Sequence, residues 1–153
     1  NRLGRRLLVV GSGPEEQRLR ALAGPTVEFL GWRSDEDVAE IYARCRALLF
    51  PAVEDFGIVP LEAMASGKPV IALGQGGATE TVIPPGGAEP PTGLFFEPQT
   101  PDALVDAIRR FEADPSRFDP KALRSRAEAF DRPIFKERIA AWVARRWEEF
   151  SRC

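Results

Sequence analysis

The residues best placed to do chemistry are two carboxylates, Glu54 and Glu62, which stand eight positions apart with a glycine between them. The apolar run Ala47-Leu48-Leu49-Phe50 comes before this pair and predicts a buried strand, and a helix is predicted over 58–66. Strand–loop–helix junctions bind phosphates, because free backbone N–H groups and the positive end of the helix dipole point into the same space. The two acids therefore flank a predicted anion-binding junction.

The backbone of this junction suits a diphosphate. Gly57 permits a conformation, or a close approach to a ligand, that a side chain would forbid. Pro60 is compatible with a first helical turn, where its missing N–H does no harm. The amides of Gly57, Ile58 and Val59 are then free to donate hydrogen bonds to an anion.

The carboxylates are predicted to lie on opposite sides of that anion, with Glu62 in the first turn of the helix and Glu54 on the strand side. This arrangement suits a ligand with hydroxyl groups on both sides of a diphosphate, such as a nucleotide sugar. A purely structural explanation is also open at this point. The helix dipole alone favours a glutamate in the first turn by up to about 1 kcal/mol, and acids in a loop are often only solvated.

The sequence around these residues resembles a known family. The segment from Glu54 to Glu62 is similar to the Glu-x7-Glu motif of retaining glycosyltransferases with the GT-B architecture, in particular family 4 (glycosyl transferases group 1). The resemblance covers residues 6 to about 112 in order, which is more specific than one glycine-rich turn. The further motifs that support it are Val9-Val10-Gly11-Ser12-Gly13-Pro14, Val27-Glu28-Phe29-Leu30-Gly31, Leu48-Leu49-Phe50-Pro51, Glu62-Ala63-Met64-Ala65-Ser66-Gly67-Lys68-Pro69-Val70-Ile71-Ala72, Gly76-Gly77 with Glu80, and Thr92-Gly93-Leu94-Phe95.

The resemblance implies roles for individual residues. Glu54 is expected to be the catalytic group that touches the transferred sugar, and Glu62 to contact the ribose hydroxyls. Glu80 matches a family glutamate, with helix capping as the alternative, and local packing is the alternative for Trp32. The other residues expected to bind the donor are Gly57, Ile58 and Val59 at the diphosphate, their neighbours Asp55 and Phe56, Gly11, Ser12 and Gly13 under the nucleotide, and Trp32 and Arg33 near the base.

The composition indicates one globular domain without a nucleic-acid partner. The chain has 153 residues, 44% of them hydrophobic and 29% charged, and its net charge of −2 leaves no basic footprint. Cys45 and Cys153 have neither metal-ligand nor disulfide spacing, and histidine is absent. We therefore expect no metal and no cofactor beyond the nucleotide-diphosphate sugar as co-substrate. No signal peptide or membrane-length apolar run is visible, so a cytoplasmic protein is expected.

Short apolar runs alternate with predicted helices, which indicates an α/β fold with a Rossmann-like parallel sheet and helices on both faces. Leu7–Val10 is wholly apolar and is expected to be covered on both faces. A helical tail is predicted over 120–150, with an aromatic stripe that packs on a core or, where a second domain is absent, is partly exposed. The expected domain spans 1–153, with its core over 6–112.

The resemblance also implies what is missing. A GT-B enzyme has two Rossmann-like domains with the active site between them, and this chain resembles only the carboxy-terminal, donor-binding one. It lacks that domain's first strand and helix, so we expect part of a longer enzyme with an open sheet edge. An acceptor glycan or lipid would bind through the amino-terminal domain, and the fragment alone is expected to transfer no sugar. Self-association through the edge or the tail helix, and peripheral membrane association of the parent enzyme, are further expectations.

The expected reaction is mannosyl or glucosyl transfer in polysaccharide biosynthesis, and three alternatives stay open. The first is a non-catalytic nucleotide-sugar-binding module. The second is a nucleotide-sugar epimerase-like domain. The third is a dinucleotide-binding oxidoreductase domain, for which Gly11-Ser12-Gly13 is only a partial match, since the third glycine would fall at Glu16.

Overall fold

The computed structural model describes residues 1–152, so Cys153 lies outside the described part of the chain. Strands and helices alternate as predicted up to the helical tail. The elements are β1 (Leu7–Val10), α1 (Glu16–Leu22), β2 (Val27–Gly31), α2 (Asp35–Arg44), β3 (Leu48–Phe50), α3 (Ile58–Ala65), β4 (Val70–Leu73), α4 (Ala78–Thr81), β5 (Gly93–Phe96), α5 (Pro101–Ala113), a 3₁₀ turn (Pro115–Arg117), α6 (Pro120–Glu128) and α7 (Arg132–Ser151).

The helix starts follow the capping residues in the sequence. The Ser34 hydroxyl accepts a hydrogen bond from the amide of Asp37 at 3.2 Å and fixes the start of α2. The Thr100 hydroxyl accepts from the amide of Ala103 at 3.3 Å, and Pro101 occupies the first position of α5. Both contacts satisfy amides that a helix leaves unpaired at its start, so these boundaries are locally encoded.

All strand pairs are parallel, which confirms the predicted sheet type, but the strands hydrogen-bond as two sheets. β1 pairs with β2, and β3–β4–β5 form the second sheet in that order. Within residues 1–152, β1, β2, β3 and β5 therefore each have one edge without a strand partner. The expected open edge is present, and β1 and β3 are among the four strands that carry one.

The two sheets are linked at the starts of β1 and β3. The carboxylate of Glu112, on α5, accepts a hydrogen bond from Arg5 Nε at 2.7 Å and from an Arg46 guanidinium nitrogen at 3.4 Å. Arg5 precedes β1 and Arg46 precedes β3. This shared carboxylate brings the beginnings of β1 and β3 close together.

The core lies around the second sheet. All four residues of β4 are buried, and Met64 of α3 and Leu123 of α6 are fully enclosed beside them. By contrast, Leu7 and Val10 at the two ends of β1 are 37% and 40% exposed. The prediction that β1 is covered on both faces is wrong, because α1 contributes no buried residue.

The helical tail divides into a packed helix and an exposed one. α6 lies against α3, whereas α7 is exposed along its length apart from a half-buried Ile134. The predicted aromatic stripe is thus uncovered in residues 1–152, as expected where a second domain is absent. The large exposed apolar side chains of α7 are Phe135, Ile139, Trp142, Val143, Trp147 and Phe150.

The Glu112 ion pairs predict a pH-dependent stability. The hydrogen bond from Arg5, then the charges of Arg5 and Arg46, lower the pKa of Glu112. A carboxylate whose pKa is lower in the folded state stabilises the fold above its ordinary pKa, and this contribution is lost as the pH falls through the folded-state value. We expect Glu112→Gln to lower the urea midpoint near about pH 7, and we expect this loss to shrink as the pH falls below the ordinary glutamate pKa of about 4.3.

The matched control is Glu148→Gln, which removes an exposed pair with Arg152 within one helix. Exposed pairs of this kind contribute little, so its midpoint should follow wild type at both pH values. An equal loss in Glu112→Gln at neutral and acidic pH would contradict the ionic origin of the effect.

Candidate functional site

The junction between β3 and α3 has the predicted anion-binding backbone. Gly57 is the N-cap of α3 and has φ +80°, a conformation that favours glycine. No side chain caps this helix start, and within residues 1–152 the amides of Gly57, Ile58 and Val59 make no hydrogen bond. The third helical position is the buried Pro60, which has no N–H. Three donors are therefore available at the positive end of the helix dipole.

The acids before the helix are open to solvent. We call residues 51–57 the acidic loop; Glu54 and Asp55 are exposed in it, and Phe56 is half exposed. Glu54 lies three residues before the Gly57 cap, on the strand side of the free amides. Glu54 is therefore close in sequence to the residues whose amides would hold a negatively charged ligand.

Glu62 differs from its predicted position. It is the fifth residue of α3 and lies in the second turn, and the first turn contains no acid. The prediction of a first-turn glutamate is wrong, because 3.6 residues complete a turn and the helix begins at Ile58. The dipole explanation for Glu62 is weakened for the same reason, since the dipole effect falls off within the first turn.

Tyr42 is a site residue that sequence analysis missed. Its hydroxyl donates a long hydrogen bond, 3.4 Å, to a carboxylate oxygen of Glu62. Partial burial, then the negative charge of Glu62, raises the pKa of Tyr42 to about 12, so this phenol stays protonated and remains a donor. Tyr42 shares helical spacing with the apolar residues Val38 and Ile41 of α2, and no local signal indicates where its hydroxyl points.

The Tyr42 contact leads to a modest prediction. Because the bond is long, we expect Tyr42→Phe to weaken nucleotide-sugar binding only about two- to threefold, by freeing the Glu62 carboxylate to rotate. Isothermal titration calorimetry measures this change, and the unfolding temperature should stay within a degree or two because the ring remains. An unchanged dissociation constant would show that the hydroxyl does not orient Glu62.

The loop after β4 contacts the backbone of the acidic loop. The amide of Gly77 donates to the carbonyl of Glu54 at 2.7 Å. A Cβ on Gly77 would lie 2.5 Å from the carbonyl oxygens of Asp55 and Phe56, so only glycine fits there. Glu80 lies in the first turn of α4, where an acid is favoured by the helix dipole, so the helix-capping alternative stays open.

The remaining predicted donor residues follow β1 and β2. The amide of Gly11 donates to the carbonyl of Gly31 at 2.8 Å, so the structure brings the turn after β1 beside the turn after β2. Trp32 is 77% exposed and therefore not packed locally, and an Arg33 guanidinium nitrogen donates to the Trp32 carbonyl at 2.9 Å. Ser12 and Gly13 are exposed beside them. These residues lie at the carboxyl ends of parallel strands, where open α/β sheets bind ligands.

Comparison with known proteins identifies the family. The family model described as "Glycosyl transferases group 1" matches residues 2–130. The chain belongs to this family. A mannosyltransferase of Corynebacterium glutamicum, described as GDP-mannose-dependent and acting on a monoacylated phosphatidylinositol monomannoside, is 40% identical over 122 residues, which are 72% of this chain and 30% of the relative. The human alpha-1,3/1,6-mannosyltransferase ALG2 is 35% identical over 126 residues, 80% of this chain and 29% of the relative.

Solved structures support the same assignment of this group 1 glycosyltransferase chain. Sucrose-phosphate synthase from Thermosynechococcus elongatus superposes with a TM-score of 0.74 at 37% identity, covering 95% of this chain and 38% of that one. Anabaena HepE in complex with UDP-glucose superposes with a TM-score of 0.69 at 27% identity, covering 91% and 40%. The α/β architecture is that of a carboxy-terminal GT-B domain. The chain spans about a third of the length of the curated relatives it matches.

Residues 1–152 contain neither a metal-ligand cluster nor a helix of the membrane-spanning kind. Among residues 1–152, no three side chains of the metal-ligating kinds His, Cys, Asp and Glu cluster around a common point. In the same residues, every helix is too short or too polar to cross a bilayer.

Proposed function

We propose that this chain is the nucleotide-sugar-binding domain of a retaining glycosyltransferase, which moves a hexose from a nucleotide-diphosphate sugar to a glycan or lipid-linked acceptor. The observation that supports this most strongly is the start of α3, where consecutive free amides lie between two exposed carboxylates. A diphosphate fits these donors in both charge and geometry. Membership of the family, and similarity to structures that contain UDP or UDP-glucose, support the same ligand class.

In this proposal the two carboxylates bind the two ends of the donor. Glu62, oriented by Tyr42, accepts hydrogen bonds from the ribose hydroxyls. Glu54 faces the transferred sugar, and its charge stabilises the positive charge that develops at the anomeric carbon. Gly11, Ser12 and Gly13 lie under the nucleotide, and Trp32 and Arg33 lie near its base. Each of these proposed roles can be tested by substituting the residue singly.

The proposed mechanism depends on charges fixed before the reaction. As the bond to the diphosphate lengthens, negative charge grows on the leaving group and an oxocarbenium-like sugar forms. The amides of Gly57, Ile58 and Val59 and the α3 dipole are already directed at the leaving group, so little reorganisation is needed. Such preorganised electrostatic stabilisation is usually the largest contribution to catalysis.

The donor sugar is proposed from the relatives. The Corynebacterium relative at 40% identity is described as GDP-mannose-dependent, and ALG2 at 35% identity is a mannosyltransferase. HepE, crystallised with UDP-glucose, is more distant at 27% identity. We therefore propose mannose as the first candidate for the transferred sugar and glucose as the second. We also propose that the enzyme belongs to glycosyltransferase family 4.

The acceptor and the setting belong to the whole protein. We propose that an amino-terminal domain outside residues 1–153 binds the acceptor. The whole enzyme would be cytoplasmic, act in polysaccharide biosynthesis and associate peripherally with membrane. Residues 1–153 alone would transfer no sugar. The uncovered face of α7 and the free edges of β1 and β3 are the surfaces for self-association when that domain is absent. A non-catalytic nucleotide-sugar-binding module is the alternative, and the exposed Glu54 favours the enzyme.

A backbone substitution tests the diphosphate site. Ile58 is the first residue of α3, where proline is tolerated, so Ile58→Pro removes one N–H with little cost to the helix. We expect it to weaken binding of GDP-mannose or UDP-glucose at least about tenfold, because a hydrogen bond to a charged group is lost. The measurement is calorimetric titration with GDP-mannose, UDP-glucose, ADP-glucose and NAD.

The matched control is Ile58→Ala, which shortens the same exposed side chain and keeps the amide. We expect it to bind like wild type. Equal donor affinity in Ile58→Pro and Ile58→Ala would show that the Ile58 amide does not bind the diphosphate. Preferential binding of NAD by the wild-type domain would favour the oxidoreductase alternative and overturn the proposal.

A further inference from the structure

The acidic loop is largely exposed to solvent. It contains no helix or strand, its two acids point to solvent, and Phe56 is half exposed. Exposed loops of this kind open locally at low free energy unless other elements fix them. The proposed chemistry needs the Glu54 carboxylate at a defined distance from the α3 amides, so the elements that fix this loop matter for function.

Gln99, between β5 and α5, contacts the start of the acidic loop, where its side-chain amide donates to the Pro51 carbonyl at 2.8 Å. Two elements contact the part of the loop that carries the acids and Phe56. One contains Gly77, at the start of α4, whose amide donates to the Glu54 carbonyl. The other contains Phe130, just after α6, whose ring meets that of Phe56 edge to face with centroids 6.1 Å apart. Edge-to-face contacts at this distance are attractive and directional.

Arg126 of α6 joins these two elements. Its Nε donates to the carbonyl of Thr81 at 2.9 Å, and another guanidinium nitrogen donates to the carbonyl of Glu80. Both carbonyls belong to the last residues of α4, where a cation is favoured. The same guanidinium lies over the Phe130 ring, 4.9 Å from its centroid. One side chain therefore fixes α4, and with it Gly77, and also orients the ring that contacts Phe56.

We infer that Arg126 and Phe130 are positioning residues for the acidic loop, through which the helical tail sets the geometry of the donor site. The inference rests on the proposed function for its effect on nucleotide-sugar binding. Neither residue is among those proposed to bind the donor. They act through Gly77 on the backbone of Glu54, and through Phe56 on the side of the loop that leads into α3.

The test compares Arg126→Gln and Phe130→Leu with Arg124→Gln in the same domain. Arg124 is exposed on the same helix and forms no hydrogen bond or ion pair within residues 1–152, so it controls for the loss of one positive charge. Two quantities are measured: hydrogen exchange at the Gly77 amide, and the dissociation constants for GDP-mannose and UDP-glucose. The buried amides of Ile71 and Leu73 report global stability in the same exchange experiment.

We expect Arg126→Gln to accelerate exchange at Gly77 by about tenfold or more, while exchange at Ile71 and Leu73 stays near wild type. Donor affinity should fall by about tenfold. Phe130→Leu should also accelerate exchange at Gly77 and lower donor affinity, but by smaller factors. Phe130→Tyr keeps the ring, so both the exchange rate and the affinity should match wild type. Arg124→Gln should behave as wild type.

The outcomes separate this inference from the proposed function. Wild-type exchange at Gly77 in Arg126→Gln would overturn the inference, and so would a uniform rise that includes Ile71 and Leu73, because that indicates only lower global stability. Wild-type donor affinity together with faster exchange at Gly77 would also overturn it. If the wild-type domain binds neither nucleotide sugar, the proposed function fails, and the exchange data still decide whether Arg126 positions the loop.

Discussion

Replacing Glu54 by glutamine in the proposed two-domain enzyme is expected to lower kcat by about 10²–10³-fold, or about 3–4 kcal/mol of transition-state stabilisation. The substitution keeps the size of the side chain and removes its charge, which in the proposed mechanism faces the developing oxocarbenium ion. Since Glu54 is exposed, the fold should be unaffected. Initial rates at saturating GDP-mannose or UDP-glucose measure kcat, and calorimetry measures donor affinity separately.

The control is Asp55→Asn, which removes the neighbouring charge from the same loop. Asp55 is also exposed and is expected to affect donor binding more than turnover. We therefore expect kcat to fall at most a few-fold in Asp55→Asn while KM rises. Transfer by Glu54→Gln at the wild-type rate would refute the catalytic role of Glu54. An equal kcat in both variants would show that only the net charge of the loop matters.

Gly93→Ala is expected to be the most destabilising single methyl addition, at about 3 kcal/mol. Gly93 begins β5 and pairs with Val70 in the buried strand β4. A Cβ at Gly93 would lie 2.1 Å from the Val70 carbonyl oxygen and 2.7 Å from a methyl group of Val82. The backbone must therefore move and break part of the central ladder. Urea unfolding followed by circular dichroism measures the change.

The matched control is Gly87→Ala, in the proline-rich segment before β5. A Cβ at Gly87 meets no atom within 4 Å, and its φ lies outside the range that disfavours other residues. We expect its stability to equal or slightly exceed that of wild type. A similar loss in both variants would show that the destabilisation does not come from the β4–β5 contact.

The sequence predicts this fold well where the signals are local. The strand Gly93–Phe96 and the Thr100-capped start of α5 can both be read from adjacent residues, because an apolar run and a capping side chain act within a few positions. The parallel arrangement also follows from the alternation of strands and helices. The exposure of β1 does not, since it depends on which elements cover that strand in three dimensions.

The site shows the same division. The free amides after Gly57 follow from glycine, proline and helix geometry, all of which can be read from adjacent residues. The Tyr42–Glu62 contact joins residues 20 positions apart, and the Arg126–Thr81 contact joins residues 45 apart. No periodicity or motif encodes such pairs, because tertiary packing alone decides where the tips of long side chains meet. Both contacts therefore had to come from the structure.

The separation of β1–β2 from the three-stranded sheet has a consequence for how the molecule opens. The fully enclosed residues belong to the larger sheet and its helices, so the smaller sheet should behave as a second cooperative unit that opens at a lower free energy. Proteolytic nicking should begin there. In the proposed complex the nucleotide base would contact the less stable β1–β2 unit, whereas the diphosphate would contact the more stable three-stranded unit. Donor binding would then order the β1–β2 unit, so ligand affinity would be coupled to local order.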